Sequence, residues 1–111
     1  MQGRSKYGNK KVVYDGKKFD SRKEMNRYVE LKLLQRAGKI YNLQCQVPFV
    51  LLEAGNGERG VKYIADFCYV DEDGNKIVED VKSEATKKKD AYILKRKWFK
   101  SIYTDFKFIE T

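Results

Sequence analysis

One hundred and eleven residues, 41% hydrophobic and 14% aromatic, suffice for a single hydrophobic core and are too apolar for a disordered chain. With no histidine and two cysteines there is no Ser–His or Cys–His nucleophile and no disulfide framework, and an ordinary zinc site is nearly excluded. Twenty-four Lys and Arg against 16 Asp and Glu leave a net charge of +8, a balance that favours a polyanionic partner, either nucleic acid or an anionic membrane surface.

The opening Met-Gln-Gly-Arg-Ser-Lys has no apolar stretch behind it, so no secretory signal is expected. The longest apolar run, Phe49 to Leu52, is too short to cross a membrane, so a cytoplasmic protein is expected. Residues 1–11 read as a flexible basic arm and residues 12–111 as one domain. Two short strands around Asp15-Gly16 predict a hairpin, because Asp-Gly suits a two-residue turn. Ser21 with Glu24 three residues on is a capping box that opens a helix. Its apolar face carries Met25, Tyr28, Val29, Leu31, Leu33 and Leu34, and it stops near Gly38. Residues 40–53 are strand-like, with Pro48 marking a bend or an edge position, and 54–60 form a loop. Residues 61–70 and 76–82 read as strands joined by a turn at 71–75. A basic stretch at 83–89 leads into a helix through about Tyr103, with Ala91, Leu94, Trp98 and Ile102 on its buried side. Residues 106–109 close the chain as a last strand.

Asp66, Glu79 and Asp80 lie among Ile64, Phe67, Cys68, Val78 and Val81, where a carboxylate is costly unless paired or metal-bound. Alternation puts Asp80 and Lys82 on one strand face and Glu79 and Val81 on the other, while Asp66 shares its face with Ile64 and Cys68. The turn decides whether these groups meet. A two-residue loop at Asp73-Gly74 pairs 66 with 81; a three-residue loop with Gly74 left-handed pairs 71 with 75 and hence 66 with 80. The three-residue loop is expected, since it collects the two acids and the lysine. Plainer readings stand beside this one. Asp80 and Lys82 form a same-face salt bridge, Asp66 lies at a solvated edge, and Glu79 is structural, facing solvent or a helix. Cys45 and Cys68 are small core residues. Glu24 is explained by the capping box alone if its carboxylate turns back to the Ser21 amide.

Asp66 followed by Asp80-Val81-Lys82 on the next strand, with a helix before and after, resembles the PD-(D/E)XK nuclease superfamily. Phe19-Asp20-Ser21-Arg22-Lys23-Glu24, Tyr63-Ile64-Ala65-Asp66-Phe67 and Val78-Glu79-Asp80-Val81-Lys82 also resemble a family of small phage and prophage proteins of that superfamily, over nearly the whole chain from Lys6. Ile64-Ala65 stands where the superfamily's name has proline. The resemblance implies an α/β (α+β) fold with a restriction-endonuclease-like core. That core runs helix, three strands, helix, strand, with a mixed sheet flanked by two helices, here preceded by the hairpin. It further implies that Asp66 and Asp80, with the Val81 carbonyl, hold Mg²⁺ or Mn²⁺, that Lys82 assists the attacking water, and that Glu24 is the helical acid of the site. No organic cofactor is implied. The expected activity is metal-dependent hydrolysis of DNA phosphodiesters leaving 5′-phosphate ends, in the cytoplasm of a bacterial host.

Lys87, Lys88 and Lys89 lie where a backbone phosphate could pass, and Lys95, Arg96 and Lys97 continue along the helix. Arg4, Lys6, Lys10 and Lys11 form an arm able to reach a second phosphate tract. Such contacts give salt-dependent affinity and read no sequence; the plainer reading is a solvated face. One monomer offers one site, so double-strand cutting or junction resolution needs a homodimer. The expectation is therefore an endonuclease, with branched or recombination intermediates such as Holliday junctions among its substrates. Its alternatives are a non-catalytic DNA-binding accessory protein that keeps the fold and a regulatory protein that binds a protein partner.

Overall fold

The computed structural model describes residues 11–111, so Arg4, Lys6 and Lys10 lie outside the described residues. Strands β1 (Val12–Tyr14) and β2 (Lys17–Phe19) form the expected hairpin. Asp15 (φ 55°) and Gly16 (φ 72°) are both left-handed, which matches the right-handed twist of the strands that they join. Helix α1 (Arg22–Arg36) starts at Ser21, whose Oγ accepts the Glu24 N–H. It ends at Gly38 (φ 77°), where the Gly38 N–H donates to the Gln35 carbonyl and the Lys39 N–H to the Leu34 carbonyl, a Schellman closure.

Strands β3 (Ile40–Leu52), β4 (Val61–Asp71), β5 (Lys76–Asp80) and β6 (Phe106–Glu110) form one sheet in that order. Its first two pairings are antiparallel and the last is parallel. Pro48 is tolerated because β3 is an edge strand. The β4–β5 turn is the three-residue form: Gly74 is left-handed (φ 87°), the Asp71 N–H donates to the Asn75 carbonyl, and Phe67 pairs with Glu79. That register carries 66 opposite 80. Three N–H groups (the Asp73 and Asn75 amides and the Asn75 side chain) converge on the Asp71 carboxylate and rigidify the turn.

The second helical region is two helices rather than one. Ser83 Oγ caps a single turn, α2 (Glu84–Lys87), and the chain breaks at Lys88–Lys89 before α3 (Asp90–Ile102). The described residues thus form a mixed α+β fold of one four-stranded mixed sheet, three helices and an N-terminal hairpin. None of the helices among the described residues is long and apolar enough to cross a membrane.

One core holds Phe19, Tyr28, Leu31, Ile40, Phe67, Tyr69, Ile77 and Val81 under α1; the other holds Leu51, Tyr63, Ala65, Cys68, Val78 and Phe99 under α3. The apolar faces expected for both helices are partly wrong. Leu33 and Leu34 are exposed, because α1 meets the sheet through the narrow stripe Glu24, Tyr28 and Leu31. On α3, Ala91, Leu94 and Ile102 are exposed and only Trp98 of the expected set packs inward. Phe99 takes the buried position instead, with the Phe49, Tyr63 and Tyr103 rings 4.9–5.1 Å from its own. That aromatic cluster sets the rotation of the helix.

Strict alternation fails in β4. Tyr63 and Ala65 belong to the α3 core, whereas Phe67 and Tyr69 belong to the α1 core, so the strand changes phase at Asp66. Across from it on β3, between the pairs Cys45–Phe67 and Val47–Ala65, Gln46 has a left-handed backbone (φ 53°).

Candidate active site

Beyond the Phe67–Glu79 pair, the ladder between β4 and β5 gives way to side chains. Asp80 Oδ1 accepts the Asp66 N–H at 3.0 Å, and Asp66 Oδ2 accepts the Val81 N–H at 2.9 Å. Each aspartate thus grips the backbone of the other segment. Asp80 Oδ2 also accepts the Tyr63 hydroxyl. Lys82 Nζ lies 3.6 Å from Asp80 Oδ2 and 3.8 Å from Asp66 Oδ2. The lysine packs over the Tyr92 ring, 5.2 Å from its centroid, and Lys23 donates to the Lys82 carbonyl.

Glu24 reaches the same place from α1 and does not return to the Ser21 amide. Its Oε1 accepts the Asp20 N–H at 3.2 Å, and its Oε2 accepts Gln46 Nε2 at 2.8 Å. One carboxylate therefore steadies the helix start and faces the site at once. The relative exposures are 3% for Glu24, 7% for Asp66 and 0% for Asp80. Glu24, Asp66, Val81 and Lys82 line a cleft of about 380 Å³ whose mouth carries Lys11, Asp20 and Lys23, while Asp80 lies beneath its floor.

Burial raises the Asp66 carboxyl to about 6, with Lys82 opposing the shift and Asp80 adding to it. Glu24 is raised to about 7, first by burial and then by the charge of Asp66. Both carboxyls bind protons more tightly in the folded chain than in the unfolded one. Their stabilising contribution is complete below the ordinary values of 3.8 and 4.5 and is lost as pH rises through about 6 and about 7. In EDTA, the melting temperature is expected to fall between about pH 4 and about pH 7.5, a window in which the groups of opposite sign have little effect. Asp71 and Asp105, held below the ordinary value by hydrogen bonds from Asn75 and Lys76, act only in more acid solution. A melting temperature that stays level across the window would mean that neither acid is desolvated.

Three carboxyl groups, Glu24, Asp66 and Asp80, gather around the Lys82 ammonium, and every donor they offer a metal is a hard oxygen. That chemistry fits Mg²⁺ or Mn²⁺ rather than a soft metal. Among the described residues no three His, Cys, Asp or Glu side chains are already gathered as a metal cage. The Gln46 amide bridges Glu24 to Asp66, and the Lys82 ammonium bridges Asp66 to Asp80.

Sequence reasoning named Glu24, Asp66, Asp80, Val81 and Lys82, and the structure brings them together. It missed Gln46 and Tyr63, because a glutamine and a tyrosine in strands carry no motif. Lys11 is exposed and paired with Asp20, Lys87 is paired with Glu84, Lys88 and Lys89 are exposed, and Lys95 is half-buried on α3. Glu79 faces α1, fully buried, and takes no part in the cleft. Cys45 and Cys68 are free thiols, and burial pushes Cys68 up to about 12, which suits a core residue.

Residues 4–110 match a family described as a protein of unknown function, DUF1064. No curated protein and no solved structure matches the chain.

Proposed function

We propose that this chain, which belongs to the DUF1064 family, is a metal-dependent DNA endonuclease. One observation carries the reading. The β4–β5 register brings Asp66 and Lys82 to the lining of a single cleft that Glu24 enters from α1, with Asp80 buried against both. The order α1, β3, β4, β5, α3, β6 supports it further, since it resembles the helix, three strands, helix and strand of the PD-(D/E)XK core.

Asp66, Asp80 and Glu24, with the Val81 carbonyl, are the residues to hold Mg²⁺ or Mn²⁺. When bound, the ion would polarise the scissile phosphate and lower the pKa of a water. The chain's own groups do the rest. Tyr63 and the Asp66 amide fix Asp80 in one orientation, and the Val81 amide does the same for Asp66. The Lys82 ammonium is paired with the aspartates by charge, at 3.6 and 3.8 Å, distances longer than hydrogen bonds. Its N–H donors are available to a phosphate oxygen or the attacking water, where they would offset negative charge as it develops. Lys11, Lys23 and the lysines of the α2–α3 junction give phosphate contacts that hold the backbone without reading bases. Cutting both strands calls for a homodimer.

The test is incubation with supercoiled plasmid and with a labelled four-way junction, each in Mg²⁺, Mn²⁺ or EDTA. Nicking in either metal that EDTA stops is the expected result, and a preference for the junction identifies a resolvase. A second reading, a DNA-binding accessory protein that keeps the fold, draws on the fact that both aspartates are already partnered by Lys82 and backbone N–H groups. Tight, salt-sensitive binding without cutting of either substrate selects it and overturns the endonuclease.

A further inference from the structure

Gln46 sits at the most irregular point of the sheet. It is the residue across from the phase change at Asp66, it lies in an edge strand, and its backbone is left-handed, a conformation that side chains with a Cβ adopt at a cost. Its long side chain spans from β3 to α1. Nε2 lies 2.8 Å from Glu24 Oε2 and 3.5 Å from Asp66 Oδ1, so the amide nitrogen takes the point at which two carboxylates of the cleft converge. A positively polarised N–H₂ group there does in part what a cation would do.

We propose that Gln46 is a metal-binding residue of this site, its amide oxygen a donor to the cation that Glu24 and Asp66 share, an inference resting on the metal-dependent reading above. The terminal torsion of glutamine is broad and roughly two-fold, so a half-turn exchanges Nε2 for Oε1 at the same point. Without a cation the nitrogen faces the carboxylates; with one, the oxygen faces the metal. Glutamine carbonyls are ordinary ligands of hard divalent ions. A neutral donor also completes the shell without adding to the charge of three acids. The side chain is thus a placeholder that becomes a ligand, and the left-handed backbone directs it inward from an edge strand.

The competing account is that the amide only satisfies the two carboxylates. Calorimetric titration of Mn²⁺ into the metal-free chain separates the two, using wild type, Gln46→Met and Gln46→Asn. Methionine keeps the length and loses the oxygen. Asparagine favours the left-handed backbone, so it folds, but it is one methylene too short to reach. Each variant is expected to bind Mn²⁺ at least about tenfold more weakly than wild type, the low end of losses seen when a metal site's support is removed. A carboxylate-capping role makes the opposite forecast: with the competing N–H₂ gone or withdrawn, both variants bind Mn²⁺ as tightly as wild type or more tightly, which overturns the proposal. No heat of Mn²⁺ binding by wild type overturns it too. Plasmid nicking by wild type in the same samples tells this failure from that of the endonuclease reading. Absent nicking at saturating Mn²⁺ removes the endonuclease and leaves the Gln46 comparison intact; nicking with unchanged variant affinities removes Gln46 alone.

Discussion

Lys82→Met is expected to nick plasmid at least about a hundredfold more slowly than wild type, in Mg²⁺ and Mn²⁺ alike, the scale of losing one preorganised donor to developing charge. Methionine keeps an unbranched apolar stem of similar length and removes the ammonium, which is the group that lies over the Tyr92 ring. Asp66 and Asp80 retain their backbone and tyrosine donors, so the fold survives the change. What they lose is their shared counter-charge, at 3.8 and 3.6 Å. The variant should therefore melt earlier than wild type in EDTA and recover in Mn²⁺. Arginine is a poor substitute, since its longer, planar guanidinium cannot set a compact charge between the two aspartates as the ammonium does. A Lys82→Met chain that nicks at the wild-type rate removes the lysine from the chemistry.

Glu79→Ala is expected to cost about 3 kcal/mol of stability, read as a lower urea midpoint, while Mn²⁺ affinity stays at the wild-type value. Glu79 is adjacent to Asp80 in sequence and equally buried, yet it points the other way, into the α1 core. Its Oε2 accepts Arg27 Nε at 2.5 Å and Thr111 Oγ1 at 3.1 Å; its Oε1 accepts Arg27 Nη2 at 3.0 Å and the Tyr69 hydroxyl at 2.6 Å. Alanine leaves the Tyr69 hydroxyl without its acceptor and the guanidinium without its buried partner. The expected loss sits at the low end for a broken buried pair because Arg27 retains some exposure and a second partner, Glu30. An unchanged midpoint would show that water satisfies both groups. Weakened Mn²⁺ binding would show that the two acids communicate through the backbone.

The parts of the fold that follow from local chemistry were legible in the sequence. Asp15-Gly16 and Gly74 dictate their turns through backbone sterics, and Ser21 caps its helix through one hydrogen bond between near neighbours. The acids of the cleft were legible for a related reason: a carboxylate in an apolar strand must be accounted for, and a three-residue turn brings Asp66 beside Asp80. What failed was anything set by long-range packing. Leu33, Leu34, Leu94 and Ile102 have core chemistry and lie outside, because the rings around Phe99 and the narrow stripe of α1 fix the rotation of each helix. Gln46 was invisible for a similar reason. Its left-handed backbone arises where two strands change phase together, and neither strand alone reports that.

The phase change also bears on how the molecule comes apart. Because β4 gives Tyr63 and Ala65 to one hydrophobic layer and Phe67 and Tyr69 to the other, neither layer owns the strand. Peeling α3 from the sheet exposes Tyr63, Ala65 and Cys68, and peeling α1 exposes Phe67 and Tyr69. Two cores that could have melted as separate units are sewn into one cooperative block by a strand that crosses between them, with the acidic cleft at the stitch.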